Sequence, residues 1–337
     1  MDSLTQIVLG GAVGEAVLGK KVGNKAILWG AIGGTIPDLD TFVGNFLDPV
    51  SSLEIHRGFS HSIVFAILIA PILGYLVNRI YRKKKETDWW GWTQLFFWSV
   101  FTHPILDAFT TWGTQLFWPS EWRIAIQSIF VIDPIYTIPF LISLVAVMVF
   151  KRNNANRSKW NKFGLIWSTS YLLITLLIKA YVNFDFEEKL KTQKISYLNF
   201  ESRPSPLNTI LWSFNVEQET DFLIGYTSLF DSKETLELKR FPKNEALLKP
   251  YRNHPDVERL IKLTKGLYVI EKIENSLHMH DLRFGLMERF NGEPGEFVFT
   301  YIIENINGEI IISRKENSFE DSDQILAALW NRIWGRS

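Results

Sequence analysis

Two carboxylates stand two residues apart in Pro37-Asp38-Leu39-Asp40, directly after a short apolar segment. In an extended turn, alternate side chains point to the same side, so Asp38 and Asp40 could together hold a cation. A solvated turn without any ligand is the other interpretation of this short pattern. The pair therefore indicates a cation site only if further ligands lie near it.

Two histidines flank a glycine-containing turn in the segment His56–His61, whose sequence is HRGFSH. Imidazoles on either side of such a turn can converge on one metal ion, and Arg57 between them could hold an anionic oxygen. Ser60 is predicted to cap the helix that follows. A polar loop at a membrane surface is the alternative interpretation of this segment.

His103 and Asp107 lie four residues apart and therefore on one face of a predicted helix. The surrounding residues are apolar, and ionisable groups in such a segment cost ~2.5–3.5 kcal/mol each unless they face a partner or a water-filled cavity. Pro104 is expected to break or kink the helix and to free backbone carbonyls. A structural hydrogen bond between the His103 and Asp107 side chains and a neighbouring helix is the alternative.

These residues offer three imidazoles and three carboxylates, and the chain contains no cysteine. This donor set suits Zn²⁺, Mn²⁺ or Fe²⁺, and six ligands suffice for the two-metal sites that hydrolyse phosphoesters. We predict one or two divalent ions, zinc or manganese before other metals. The predicted metal ligands are Asp38, Asp40, His56, His61, His103 and Asp107, and the predicted catalytic residues are Asp38, Arg57 and Asp107.

Four apolar runs have the length of about 20 residues that crosses a ~30 Å hydrocarbon core. Two shorter runs precede them, and their glycine and alanine residues favour a closely packed hairpin against the longer helices. A full crossing, a re-entrant hairpin and a soluble core hairpin all remain open for the short pair. The long runs are Ser62–Tyr81, Thr93–Trp112, Val131–Phe150 and Phe163–Val182, and the short runs are Leu4–Leu18 and Ala26–Ile36.

Basic residues predict how the runs are oriented in the membrane. If all six runs cross in alternation, three Lys/Arg clusters fall on one side, which the positive-inside rule assigns to the cytoplasm. The candidate ligands and the region after Val182 then lie on the extracytoplasmic side. The clusters are Lys20, Lys21 and Lys25; Arg79 and Arg82 to Lys85; and Lys151, Arg152, Arg157, Lys159 and Lys162.

The composition changes near residue 183, where long apolar runs give way to dense charge. We predict a polytopic α-helical membrane domain over residues 1–183 and a soluble, extracytoplasmic α+β domain, rich in β-structure, over residues 184–337. The net charge is zero, with 36 basic and 36 acidic residues, which argues against nucleic-acid binding through a basic surface. The predicted strands are Leu207–Val216, Phe222–Leu229, Leu267–Lys272 and Gly295–Ile303, and the predicted helices are Pro255–Thr264 and Asp323–Trp334.

Two further acids lie in or beside apolar runs. Glu15 could support the metal ligands or carry a proton, or it could simply bond to a neighbouring helix. Asp133 could contribute to the site or cap the third long helix.

Over about residues 1–150 the motifs resemble, in order, those of the YdjM-type family of membrane-bound metal-dependent hydrolases. The resemblance implies hydrolytic activity without naming a substrate, and it implies that the same six His and Asp residues hold the metal. Asp2 and Gln6 stand where many members of that family have a histidine. The matching motifs are Asp2–Gln6, Pro37–Asp40, His56–Ser62 and Thr102–Asp107.

The leading hypothesis is an integral membrane hydrolase in which a metal-bound water attacks a phosphoester or another ester. Arg57 would steady the anion. The expected partners are membrane lipids and a lipid or lipid-linked substrate. The alternative is a transporter or an ion or proton pathway, because intramembrane His and Asp residues also serve such pathways.

Overall fold

The computed structural model describes residues 1–231, 236–287, 295–315 and 322–335 of the 337-residue chain. The chain forms two compact units. The first comprises Met1–Leu47, Glu54–Leu176 and Pro206–Asn208, and the second comprises Asp48–Leu53, Leu177–Ser205 and Thr209–Ser337. The domain boundary predicted at residue 183 stays a prediction.

The N-terminal region of the chain is helical. Two single 3-10 turns, Ile36–Leu39 and Phe59–His61, interrupt the α-helices at the motifs singled out above. The α-helices in this region are α1 (Ser3–Val22), α2 (Asn24–Thr35), α3 (Asp40–Gly44), α4 (Pro49–Ile55), α5 (Ile63–Tyr81), α6 (Trp89–Ala108), α7 (Pro134–Val149) and α8 (Ala155–Thr192).

Helices α1 and α2 form a hairpin in which the two backbones touch. A Cβ atom on Gly10 would lie 2.4 Å from the carbonyl oxygen of Gly30, and one on Gly34 would lie 2.6 Å from that of Gln6. Any larger residue would force the helices apart, as expected for small-residue packing in membranes. The close approach fixes where the C-terminal end of α2 lies relative to the start of α1.

Apolar side chains pack α6 and α7 against α1. Val8, Leu106, Tyr136 and Phe140 are fully buried members of one core cluster. Helix α6 also packs against α5, so it is enclosed on several sides. The helix that carries two predicted ligands is therefore held by neighbours along its length.

Helix α6 runs without interruption through Pro104, so the predicted break is wrong, and the alternative of a kink stays a prediction. A proline removes one backbone donor, and the packing of α6 outweighs that local loss. The predicted cap at Ser60 is also wrong: Ser62 caps α5, and its hydroxyl accepts a hydrogen bond from the Phe65 amide at 3.0 Å.

Helices α5 and α8 are long and apolar enough, by length and composition, to cross a membrane. Helix α7 is apolar but has only 16 residues, and α6 carries polar residues that lower its mean hydropathy. The sixfold crossing predicted from the sequence stays a prediction.

The C-terminal region is rich in β-structure, as predicted, and its strands pair in antiparallel sheets with orders β1-β2-β3-β4, β10-β9-β6-β5 and β7-β8. The segment predicted as one strand, Gly295–Ile303, contains parts of two. The helices are α9 (Pro255–Leu263) and α10 (Ser322–Ile333). The strands are β1 (Asn199–Pro204), β2 (Leu211–Glu217), β3 (Asp221–Ser228), β4 (Leu238–Pro242), β5 (Tyr268–Ile273), β6 (Ser276–Asp281), β7 (Leu286–Met287), β8 (Glu296–Phe297), β9 (Thr300–Ile306) and β10 (Glu309–Arg314).

Candidate metal centre

Four of the predicted ligands converge in the first unit. Asp38 lies in the 3-10 turn after α2, His61 lies in the 3-10 turn before α5, and His103 and Asp107 lie one turn apart on α6. One ligand atom from each residue lies within 4.8 Å of the others. We call these four residues the His/Asp cluster, and it is compatible with a metal ion.

Five of the six distances between the ligand atoms are close to those of a tetrahedral site. The Nε2 atoms of His61 and His103 lie 3.1 Å apart, and Asp38 Oδ1 lies 3.3 and 3.4 Å from them. Asp107 Oδ2 lies 3.5 Å from His61 Nε2 and 3.8 Å from His103 Nε2. Zinc–ligand bonds of about 2.0–2.1 Å imply about 3.3 Å between neighbouring ligands of a tetrahedron. The cluster could close around such an ion with small shifts.

Hydrogen bonds on the far side of each imidazole determine which nitrogen faces the cluster. His103 Nδ1 donates to the carbonyl oxygen of Gly34 at 2.6 Å. The Ser60 hydroxyl donates its hydrogen to Asp40 at 2.7 Å, so its oxygen accepts from His61 Nδ1 at 2.9 Å. In their neutral forms both rings therefore point a lone pair at the cluster through Nε2, as metal ligands do.

The two facing Nε2 atoms need a positive charge between them. Burial alone would lower the pKa of His61, but the neighbouring carboxylates of Asp107, Asp38 and Asp40 outweigh it and raise that pKa to about 9. Burial raises the pKa of Asp38, but contacts with His103 and His61 lower it to well below its usual value. The cluster thus favours two carboxylates around a cation, whether that cation is a proton or a metal ion.

Asp107 is fully buried and contacts several neighbouring residues. Its Oδ1 accepts from the Gln6 amide at 2.9 Å and contacts the amino group of Met1. Its Oδ2 lies 2.9 Å from Arg57 Nε in an ion pair whose geometry is not that of a hydrogen bond. Among the described residues, no hydrogen-bond donor reaches Oδ2, so this oxygen remains available to a cation in the cluster.

Asp40 and His56 lie beside the cluster and contact each other. The expected extended turn is wrong: residues 36–39 form a 3-10 turn and Asp40 starts a helix, so the two carboxylates diverge. Asp40 accepts from the Arg57 amide at 2.9 Å and contacts His56 Nδ1 at 3.1 Å. Burial raises the pKa of Asp40, but its bonds to His56 and His61 lower it well below its usual value. Asp40 thereby holds the loop that carries His61.

Arg57 is buried, and its backbone adopts φ +57°, a conformation that is uncommon outside glycine. Its guanidinium donates from Nη1 to the Thr110 hydroxyl at 2.8 Å and pairs with Asp107. The structure therefore shows Arg57 balancing the charge of a cluster carboxylate. Its predicted contact with a substrate anion stays a prediction.

Backbone carbonyl oxygens hold two of the side chains around the site. The Gly34 carbonyl fixes His103, and Arg123 donates to the carbonyl of His56 at 2.8 Å and to that of Glu54 at 2.7 Å. Every residue carries a backbone carbonyl, so the sequence does not indicate which one accepts a given hydrogen bond. The early Gln6, in contrast, was visible as a substitute for a histidine.

The two additional acids have structural partners. Glu15 receives two hydrogen bonds from Arg157, at 2.7 and 2.5 Å, and both residues are buried. Asp133 caps α7 by accepting from the amides of Ile135 and Tyr136, and its other oxygen accepts from the Tyr171 hydroxyl at 2.9 Å. Neither acid belongs to the cluster.

The fold and the site define a class: a membrane protein whose helical region carries a His/Asp cluster compatible with a metal ion. A family model for the YdjM inner membrane protein matches residues 1–182. The chain belongs to that family.

Two curated relatives share the sequence in part. The chain is 29% identical to the uncharacterized protein YfhP of Bacillus subtilis over 198 residues, which is 56% of this chain and 58% of that protein. It is 31% identical to the inner membrane protein YbcI of Escherichia coli over 106 residues, 31% of this chain and 59% of that protein. The chain thus spans less than two thirds of either relative, and no solved structure matches it.

Proposed function

We propose that the His/Asp cluster binds one divalent metal ion, zinc or manganese, and that the protein is an integral membrane hydrolase of phosphoesters or other esters. The observation that supports this most directly is the pair of Nε2 atoms 3.1 Å apart, flanked by Asp38 and Asp107. Both rings already use Nδ1 as a donor elsewhere. A divalent ion would satisfy both inward lone pairs and both carboxylates at once.

Each residue has a distinct role in this proposal. A bound divalent ion supplies Lewis-acid chemistry, lowering the pKa of water and polarising an ester oxygen. Asp38, whose side chain is 24% exposed while the other three are fully buried, marks the side from which substrate reaches the cluster. Arg57 offsets the charge of Asp107, and Asp40 keeps the loop of His61 in place.

One ion accounts for the contacts better than two. The oxygens of Asp40 already contact His56, the Arg57 amide and the Ser60 hydroxyl. A second ion at Asp40 would have to displace these bonds. We therefore assign Asp40 and His56 to the support of the cluster.

The transporter hypothesis requires polar groups that continue across the helical region. On α1, however, the residues from Ile7 to Gly14 contain no titratable side chain. The next one, Glu15, is paired with Arg157. This gap favours a local chemical site over a continuous pathway for ions.

Metal analysis of the detergent-purified protein tests the proposal. Wild type should carry about one ion per chain, and Asp38→Ala, His61→Ala and His103→Ala should each lose most of it. His278→Ala is the matched control, because His278 lies in the second unit and its ring contacts Ser276. Full occupancy in all three cluster variants would contradict the proposal.

Activity is the second test. The protein should hydrolyse a member of a panel of phosphoesters and carboxyl esters, lose that activity with a chelator and regain it with Zn²⁺ or Mn²⁺. Metal-dependent ion flux in liposomes, with no hydrolysis across the panel, would favour the transporter instead.

A further inference from the structure

The segment that follows Asp38 exposes large apolar side chains. Phe42 and Phe46, on or just after α3, are 65% and 90% exposed, and Leu39 and Val43 beside them are also exposed. A contiguous apolar surface of this kind marks a site of interaction with a protein or a membrane. The segment begins at a residue of the His/Asp cluster, so whatever covers it also borders the cluster.

Two more loops add exposed aromatic residues to the same end of the helices. The loops are joined by hydrogen bonds from the Gln115 amide to the Arg57 carbonyl and from the Ile63 amide to the Leu116 carbonyl. The ring of Phe59 packs edge-on against that of Trp118, with centroids 4.9 Å apart. We call the six exposed aromatic residues around the cluster the aromatic collar: Phe42, Phe46, Phe59, Phe117, Trp118 and Trp122.

The collar lies level with one end of a candidate membrane span. Helix α5 has 19 residues, which at 1.5 Å per residue is about 28 Å, close to the ~30 Å thickness of a hydrocarbon core. Most of its exposed positions, such as Ile67 and Ile72, are apolar. Phe59 lies just before α5 and packs on Phe65, so the collar continues the exposed apolar surface of that helix.

Helix α3 starts at the same level. Asp40, its first residue, accepts a hydrogen bond from Ser60, which lies three residues before α5. Phe46 is only six residues further along the chain. Trp side chains concentrate at this depth in membrane proteins, where hydrocarbon meets headgroups. Phe side chains enter the same boundary on the apolar faces of interfacial helices.

We propose that the aromatic collar is seated in the bilayer at the boundary where hydrocarbon meets headgroups, and that the cluster acts on an ester of a membrane lipid. The substrate part of this inference rests on the proposed hydrolase function, and the seating of the collar does not. A lipid whose chains remain among the collar residues would bring its headgroup to Asp38, the exposed member of the cluster. The substrate would then reach the site laterally from the bilayer.

A spin label tests where the collar lies. The chain has no cysteine, so Phe46→Cys gives a single labelling position, and the 90% exposure of Phe46 makes the change tolerable to the fold. Lys84→Cys, in the exposed basic loop after α5, is the matched control. In phosphatidylglycerol/phosphatidylethanolamine liposomes, the label at 46 should collide with oxygen more than with a water-soluble nickel complex, and the label at 84 should do the reverse.

Two results would overturn the seating in lipid. Ready collision of the label at 46 with the nickel complex would place the collar in water. Protection from both reagents would mean that a second copy of the chain or another protein covers it.

A comparison of substrates tests whether the cluster acts on a membrane lipid. Reconstituted protein should hydrolyse phosphatidylglycerol or phosphatidic acid at least tenfold faster than p-nitrophenyl phosphate. Phe46→Glu should lose at least tenfold in turnover of the lipid while keeping wild-type metal content. Preference for the soluble ester would overturn the lipid substrate and leave the hydrolase in place. Hydrolysis of neither would count against the hydrolase and the lipid substrate together, and the spin label would still decide the position of the collar.

Discussion

Replacing Asp107 by asparagine tests its two roles, as a cluster ligand and as the counter-charge of Arg57. The amide keeps the volume of the side chain and removes its negative charge. Arg57, 2.9 Å away, and the buried amino group of Met1 would then lack their anion. The loss of these contacts predicts a clear loss of stability as well as of metal.

The size of the expected loss in unfolding free energy follows from the burial of the ion pair. Removing one partner of a buried ion pair costs ~3–5 kcal/mol, because the remaining charge stays away from water. This corresponds to a change of roughly two to three and a half powers of ten in the unfolding equilibrium. Asp38 provides the matched comparison, since its oxygen contacts two imidazoles and its side chain is partly exposed. Asp38→Asn should cost less than Asp107→Asn in the metal-free protein, because solvent screens the partly exposed Asp38.

The assay is unfolding of chelator-treated protein in mixed micelles with increasing SDS, followed by the fluorescence of the 13 tryptophans. Metal content is measured in parallel on untreated protein. Both variants should lose metal, and only Asp107→Asn should unfold at clearly lower SDS. Equal unfolding curves for wild type and Asp107→Asn would refute the assigned role of Asp107 as the counter-charge of Arg57.

Three further outcomes are expected. His56→Ala should keep at least half of the bound metal, because His56 contacts Asp40 outside the cluster; loss as complete as in His103→Ala would make it a ligand. Metal binding at pH 7.5 should release about one proton, since the pKa of His61 is about 9 without metal. The apparent affinity for the metal should therefore rise with pH and level off above pH 9. Calorimetry in which the binding enthalpy does not depend on the ionisation enthalpy of the buffer would contradict this. A reporter fused after residue 337 should be extracytoplasmic and one in the loop of residues 82–85 cytoplasmic, and the opposite pattern would invert the predicted orientation.

The chemistry-bearing residues of α6 could be predicted because helical periodicity is a local property. His103 and Asp107 share a face wherever α6 packs, and polar residues inside an apolar run need a partner. The β-rich character of the C-terminal region is equally local, since it follows from runs of β-branched and aromatic residues.

The division of labour between Asp38 and Asp40 could not be predicted. A spacing of two residues places side chains together on an extended backbone and apart on a helical one. The backbone at residues 36–40 depends on how α2 ends and on the bonds that Asp40 makes with Ser60 and Arg57. These are tertiary contacts, and the Asp-x-Asp pattern is the same in either case.

The continuity of α6 through Pro104 has a similar cause. Proline disfavours the helix interior by local chemistry, but the surrounding helices stabilise the turn on which His103 and Asp107 depend. The geometry of the His/Asp cluster would change if that turn opened.

The cluster draws its residues from segments that leave the ribosome at different times. A nascent chain synthesised only through α5 carries Asp38 and His61, and two ligands bind an ion weakly. His103 and Asp107 join them only when α6 has docked on the hairpin of α1 and α2, where the Gly34 carbonyl receives His103. Under the proposed function, the ion therefore binds only after the helices have assembled. A bound ion would then show that the helical region has finished folding.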